Sequence, residues 1–382
     1  MTMTVLVNAG PWLPVPPRGY GGIENVVATL VPQLRRLGVR VVLATVGTST
    51  MPADERIALY AHGRFAELQK PYNRVSGVAH AHLQRVLTEL RSRDDIDLVH
   101  DHVEVVGLSS LAAAGVPTLH TVHWDLGRHR EFYSALDGGD RLWLNGVSAD
   151  QMRKAPPSLA ARSLGHVHLA TPLAENAGSR TPPVKGGHVT VLGRITPSKG
   201  QDVAIRVARA LGWPLVLAGP VGPYHDADGL RRALSAEDDA RANPDVRYWL
   251  NEIAPHVDGT QVRWLGAVHG DELEHLMGTS RAALFPIMWD EPGGTAVTES
   301  LALGCPVVGF RRGCLPELVD HGRTGLLAEP GDETDLREQL VAAQEIDPAA
   351  CAKEAAARFA PAVMARRYLT LYRKVLGRGG VG

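Results

Sequence analysis

Cysteine is nearly missing: Cys305, Cys314 and Cys351 are the whole supply in 382 residues. Three thiols so unevenly placed make neither a disulfide framework nor a zinc site. An excess of either charge is missing as well. The 40 Lys and Arg against 41 Asp and Glu argue against a broad nucleic-acid or membrane-surface footprint. No apolar run approaches the roughly 18 residues needed to span a bilayer. The opening MTMTVLVNAG lacks the basic segment of a signal peptide, so the expectation is a cytoplasmic protein without stable membrane insertion. Complete phosphate-binding fingerprints are absent too, because PRGYGGIENVV carries Asn25 where a third glycine would stand. That broken fingerprint argues against a dinucleotide-dependent oxidoreductase, the alternative enzyme class. Finally, no D-x-D sits at a strand end to hold a cation. Asp95–Asp97 precedes its apolar run and Asp226–Asp228 lies in a polar, acidic segment, so no metal is expected.

What is present is a long alternation. Length alone makes two domains the expectation. Thr4–Asn8, Val39–Thr45, Ile96–His100 and Pro117–His123 read as strands, with helical stretches such as ENVVATLVPQLRRLG between them. After a Pro/Gly-rich lapse near Pro172–Gly187 the alternation restarts with HVTVLGR, PLVLAGP, QVRWLGA, AALFPI and PVVGF. Strands alternating with helices predict parallel sheets covered on both faces. The fold class is therefore α/β, with two doubly wound, Rossmann-like domains. Their expected bounds are 1–175 and 188–360, with 176–187 as a hinge and 361–382 as a C-terminal helix. Segment Arg56–Arg93 is moderately basic, with seven Lys or Arg against two Glu, and reads as a solvated face.

In doubly wound sheets chemistry sits beyond the carboxyl ends of the strands. After AALFPI comes MWDEPGG and then the helical TAVTESLALG, which places Gly293, Gly294, Thr295 and Ala296 at a helix N-terminus. Backbone N–H groups there lack internal partners and the dipole favours an anion, with a diphosphate the obvious candidate. Glu291 precedes that helix at the strand end, and Glu299 lies over one turn into it. VLGRITPSKGQD follows the first strand of the second domain and supplies Arg194 and Lys199, a planar fork and a point charge for a leaving diphosphate. Gly21 and Gly22 precede a second helix start in the first domain. His120 and His123 close the PTLHTVH run, whereas His100 and His102 in LVHDHVE read as structural or supporting.

Together, DEPGGTAVTES, PVVGF…GCLPELVDHGRTGLLAEPGD, VLGRITPSKGQD, GGIENVV and HTVH resemble the family-4 glycosyltransferases, retaining nucleotide-sugar-dependent enzymes of the GT-B fold. The resemblance covers nearly the whole chain and is densest from Val189 to Glu329. It implies two domains facing each other across a cleft, the first for acceptor and the second for nucleotide sugar, with the C-terminal helix crossing back to the first. It implies that Glu291 contacts the donor sugar, Glu299 the ribose and His123 the transferred sugar, with His120 in support. It further implies that Arg194 and Lys199 hold the diphosphate and that the Gly21–Gly22 turn approaches it from the first domain. UDP is the expected nucleotide, GDP and dTDP the alternatives, and the acceptor a small molecule or saccharide. A monomer or homodimer is expected, with no metal and no cofactor beyond the nucleotide sugar. The family usually has Phe where this chain has Gly293, and an Asn-Gly motif where it has HLATPLAEN. The first departure is similar to a subset acting in antibiotic oligosaccharide assembly. A catalytically dead GT-B sugar-binding protein is the non-enzymatic alternative, and Glu291, Glu299, Arg194, Lys199 and His123 argue against it.

Overall fold

The structure, a computed structural model, describes residues 2–19, 21–236 and 239–378. It divides into two units, one running to Ala170 and resuming at Pro361, the other spanning Thr171–Ala360.

The first unit holds a seven-stranded sheet in the order β3-β2-β1-β4-β5-β6-β7, and every pair is parallel. Its strands are β1 (Thr4–Asn8), β2 (Arg40–Thr45), β3 (Glu55–Ala58), β4 (Leu98–Asp101), β5 (Thr118–Thr121), β6 (Leu142–Gly146) and β7 (Ser163–His166). Val5, Leu6 and Val7 are all fully buried, as are Val41, Val42 and Leu43. Runs without polar alternation are what a sheet covered on both faces requires. The helix Pro361–Arg378 belongs here. Its Met364, Ala365, Tyr368, Leu371, Tyr372 and Val375 share a core with Val27, Leu30, Val31 and Leu34 of the helix Gly22–Arg36.

The second unit repeats the plan with six parallel strands in the order β10-β9-β8-β11-β12-β13. These are β8 (Val189–Leu192), β9 (Leu215–Ala218), β10 (Val262–Gly266), β11 (Ala282–Phe285), β12 (Val307–Phe310) and β13 (Gly325–Ala328). Strand order reverses between β1 and β4 in one sheet and between β8 and β11 in the other. Crevices form at such reversals, so the loops after these four strands are where ligands belong.

Two expectations need correction. Segment 176–187, read as a hinge, belongs to the second unit, and the change of unit falls at Ala170/Thr171. Ala174 and Ala177 are fully buried, and Gly178 lies against Lys353 of the helix Pro348–Phe359. Small side chains let this Pro/Gly-rich stretch lie flat on a helix, where composition alone suggested a free linker. The other correction adds strands. β3, β6, β7 and β13 were not among the expected runs; the edge strands β3 and β7 are largely exposed or half-buried and so lack a continuous apolar run.

Candidate active site

β8 and β11 are neighbours, so the loops that follow them meet. After β8 the chain turns through Gly193 and Arg194 into the short helix Pro197–Lys199, capped by the Thr196 hydroxyl. After β11, Met288 N–H donates to the Ser198 carbonyl at 2.8 Å, which ties the two loops together. Lys199 Nζ thereby reaches Glu291 Oε2 at 2.8 Å. Trp289 Nε1–H donates to the same oxygen at 2.8 Å. One carboxylate oxygen is thus anchored twice, and Oε1 has no hydrogen-bond partner among the described residues. The Glu291 backbone is fixed as well, its carbonyl accepting Cys314 N–H at 2.9 Å. Arg194 sits on the same turn as Lys199, with its carbonyl held by Gln201 Nε2 at 2.8 Å and its side chain exposed.

Gly294 starts the helix Thr295–Ala302 in the left-handed region, at φ 59°. A Cβ there would lie 2.8 Å from both Cys314 Sγ and Leu318 Cδ1, so conformation and close approach both demand glycine. Among the described residues the N–H groups of Thr295 and Ala296 have no backbone partner, because the first intrahelical bonds run from Val297 and Thr298 to the Gly294 carbonyl. Gly293 lies half-exposed just before this turn. Glu299, one turn on, is half-buried and has no hydrogen-bond partner among the described residues. Burial pushes its carboxyl from 4.5 up to about 7. A carboxylate half-buried and unpaired is an acceptor without a donor.

In the first unit, β4 and its following loop read HDHVE, and nearly every polar group of that run holds a histidine. Asp101 Oδ2 accepts His120 Nδ1–H at 2.6 Å, both groups fully buried. Asp101 Oδ1 accepts Asn8 Nδ2–H at 2.7 Å, and Asn8 Oδ1 accepts from His82 Nε2 at 2.7 Å. Gly107 makes room for this carboxylate, since a Cβ there would collide with Asp101 Oδ2. His102 Nδ1 meets His123 Nε2 at 2.9 Å. Glu104, whose backbone is strained at φ 25°, accepts His123 N–H at 3.4 Å and Tyr133 O–H at 3.0 Å. Beneath lies His100, between Tyr372 O–H at 2.7 Å and Thr121 Oγ1 at 2.8 Å. Thr121 donates onward to Asn145 Oδ1, so His100 Nε2–H donates to Thr121 and Tyr372 donates to His100 Nδ1. Tyr368 O–H also reaches Thr121 Oγ1, at 3.1 Å, so the C-terminal helix is part of the support.

His82, His100 and His102 are held neutral. Burial lowers His82 from 6.5 to about 4, and burial plus neighbouring histidines take His100 and His102 well below the ordinary value. Below pH 6.5 the unfolded chain takes up protons that the folded rings refuse. Stability is therefore expected to fall as pH drops from about 6.5 towards 4. At about 1.4 kcal/mol per tenfold change in proton affinity, His82 alone costs about 3 kcal/mol. Melting temperatures across that range check this, and a flat profile would contradict a buried neutral cluster.

The other first-unit candidates are Gly21 and Gly22. Gly21 caps the helix Gly22–Arg36, and Asn25 N–H reaches its carbonyl at 3.0 Å. Burial lifts the Glu24 carboxyl in the first turn to about 7, against the opposing pull of backbone hydrogen bonds from Glu24 and Leu13.

So the structure brings Lys199 and Glu291 into contact, sets Gly294, Thr295 and Ala296 beside them in sequence, places Arg194 on the same turn as Lys199, and gives Glu299 no hydrogen bond to that ion pair. His120 and His123 fall into one histidine cluster. Sequence reasoning missed Trp289, Asp101, Glu104, Asn8 and His82. For Trp289 the only signal was nearness in sequence, since a tight bend, with Glu291 N–H on the Trp289 carbonyl at 3.1 Å, brings the two side chains together. For the others there was none, since their partners come from separate strands and helices.

The pattern described as Glycosyl transferases group 1 matches residues 175–358, and the pattern described as Glycosyltransferase Family 4 matches residues 20–155. D-inositol 3-phosphate glycosyltransferase of Pseudarthrobacter chlorophenolicus is 26% identical over 374 residues, covering 86% of this chain and 83% of that protein. The 2-deoxystreptamine glucosyltransferase of Streptomyces kanamyceticus is 27% identical over 337 residues, covering 79% and 84%. HepE of Anabaena, solved in complex with UDP and glucose, shares the fold at a TM-score of 0.64 and 16% identity, over 97% of this chain and 100% of that one. Two parallel α/β units, each with its polar cluster at the reversal of strand order, are those of a GT-B glycosyltransferase. The chain belongs to glycosyltransferase family 4.

Among the described residues, no helix is long and apolar enough to cross a membrane.

Proposed function

We propose that the chain moves a hexose from a nucleoside-diphosphate sugar to a polyol or saccharide hydroxyl, with retention at the anomeric carbon and without a metal. The observation that carries this reading is the Lys199–Glu291–Trp289 cluster, next in sequence to the unpaired N–H groups of Thr295 and Ala296. Lys199, Arg194 and those amides receive the departing diphosphate, which is electrostatic stabilisation where charge develops. The open Glu291 oxygen accepts from a sugar hydroxyl and Glu299 from the ribose. His123 contacts the transferred sugar, with His120 in support, and the Gly21–Gly22 turn approaches the phosphates. The bond from C1 to the diphosphate oxygen breaks as the acceptor oxygen closes on C1 from the same face. The acceptor proton passes to the departing phosphate oxygen, so no protein base is consumed.

HepE was solved with UDP and glucose, which supports UDP as the first nucleotide to test. Both relatives named above act, by their names, on a cyclitol: inositol 3-phosphate in one, 2-deoxystreptamine in the other. A six-membered carbocyclic polyol is accordingly the first acceptor chemistry to test.

A thermal-shift comparison of UDP, GDP, dTDP, ADP and NAD in excess EDTA tests the donor reading. One nucleoside diphosphate should raise Tm, UDP foremost, with stabilisation of about 2.7 kcal/mol at a hundredfold excess over Kd. Activity should survive the chelator. No shift with any diphosphate, or turnover that requires added Mg²⁺ or Mn²⁺, would refute it.

A further inference from the structure

His102 Nδ1 and His123 Nε2 lie 2.9 Å apart, and one hydrogen must sit between them. Two arrangements satisfy that contact. Either His102 donates from Nδ1, or His123 donates from Nε2. The decision falls on the far side of His102, a residue 1% exposed whose Nε2 is buried without a partner among the described residues. If His123 were the donor, His102 would carry its hydrogen on that Nε2, leaving a buried N–H with no acceptor. If His102 is the donor, the same nitrogen is a bare lone pair. Orphaned buried N–H groups are the rarer of the two, so the hydrogen belongs on His102 Nδ1.

We infer that His102 is a positioning residue that fixes the tautomer of His123, leaving Nδ1–H as the single donor this ring can offer. His123 is half-buried, and its Nδ1 has no partner among the described residues. Its main chain is held at the same time by Glu104 Oε1. Burial and the neighbouring histidines lower both rings, so the pair stays neutral and neither ring donates from both nitrogens. A neutral ring with its lone pair already used cannot take a proton from an acceptor hydroxyl. It can donate one hydrogen bond to a sugar oxygen. The consequence for catalysis rests on the proposed sugar contact of His123, whereas the tautomer itself does not.

The test reads the free protein first. With histidine labelled in ¹⁵N, long-range proton–nitrogen correlation should give His123 a pyrrole-type Nδ1 and a pyridine-type Nε2. His102→Phe keeps an aromatic ring against His100 but removes the donor, and should shift His123 towards the Nε2–H form. His102→Asn places an amide N–H near the lost Nδ1 and should restore the wild-type pattern. In turnover, His102→Phe should lower kcat/KM by about tenfold, the scale of one neutral hydrogen bond, with Kd for the nucleotide unchanged and the Asn variant recovering. A pyrrole-type Nε2 in wild-type His123 would overturn the assignment, and that spectrum needs no variant to fold. An unchanged His123 pattern in folded His102→Phe would overturn it too. A shifted tautomer with unchanged kcat/KM would keep the positioning geometry and overturn the sugar contact instead.

Discussion

Glu291→Gln is expected to lower kcat by about 10²–10³-fold, the scale of removing one preorganised group from developing charge. The reason lies in how its oxygens are used. Oε2 already accepts from Lys199 and Trp289, and those two bonds will hold the amide oxygen of a glutamine in the same place. The amide nitrogen then occupies the Oε1 position and presents hydrogens where a sugar hydroxyl needs an acceptor. The negative charge beside a carbon that turns cationic is lost as well. Affinity for the bare nucleoside diphosphate should stay within about twofold, because no sugar is present to miss the carboxylate. Steady-state kinetics and titration of the diphosphate check both halves. Equal losses in kcat and nucleotide binding would place Glu291 on the wrong part of the donor.

Glu299→Gln is expected to act in the opposite proportion. Its carboxyl is half-buried, unpaired and lifted to about 7 by burial alone. As pH rises from about 4.5 to 7 the unfolded chain loses this proton while the folded one keeps it, so the group costs stability over that window and beyond. The glutamine variant should therefore melt higher than wild type at pH 8 and nearly alike at pH 4.5. Nucleotide binding should weaken by about 1–3 kcal/mol, the worth of a hydrogen bond to a charged acceptor. A variant that gains stability and loses affinity marks a group kept for its ligand. Unchanged affinity for the diphosphate would remove Glu299 from the donor site.

How much of this was legible depends on sequence distance. The helix after DEPGG was readable because glycines, a strand-like run and an amphipathic stretch lie within about twenty residues. Lys199 meeting Glu291 was less so, since it needs β8 and β11 to be neighbours, and strand order is not written in either strand. The histidine cluster is further out of reach. His100 finds Tyr372 across 272 positions, and Asp101 joins Asn8 on one side and His120 on the other. Such pairs leave no period in the sequence. The stretch 176–187 misled for a plainer reason. Pro and Gly break regular structure equally well in a free linker and in a chain pressed flat against a helix.

In the proposed reaction the leaving diphosphate, held by cations and helix amides, takes the acceptor's proton on its own face. An inverting enzyme would need a base on the far face to deprotonate the acceptor as it attacks. His123 Nε2 is occupied by His102, Glu291 Oε2 is engaged by Lys199 and Trp289, and the open Oε1 is assigned to a hydroxyl of the donor sugar. Proton NMR of the first product formed from an α-linked sugar nucleotide, in EDTA and before the anomers equilibrate, reads the outcome at the anomeric doublet. The expected product is α-linked. A β-linked first product would contradict the front-face mechanism.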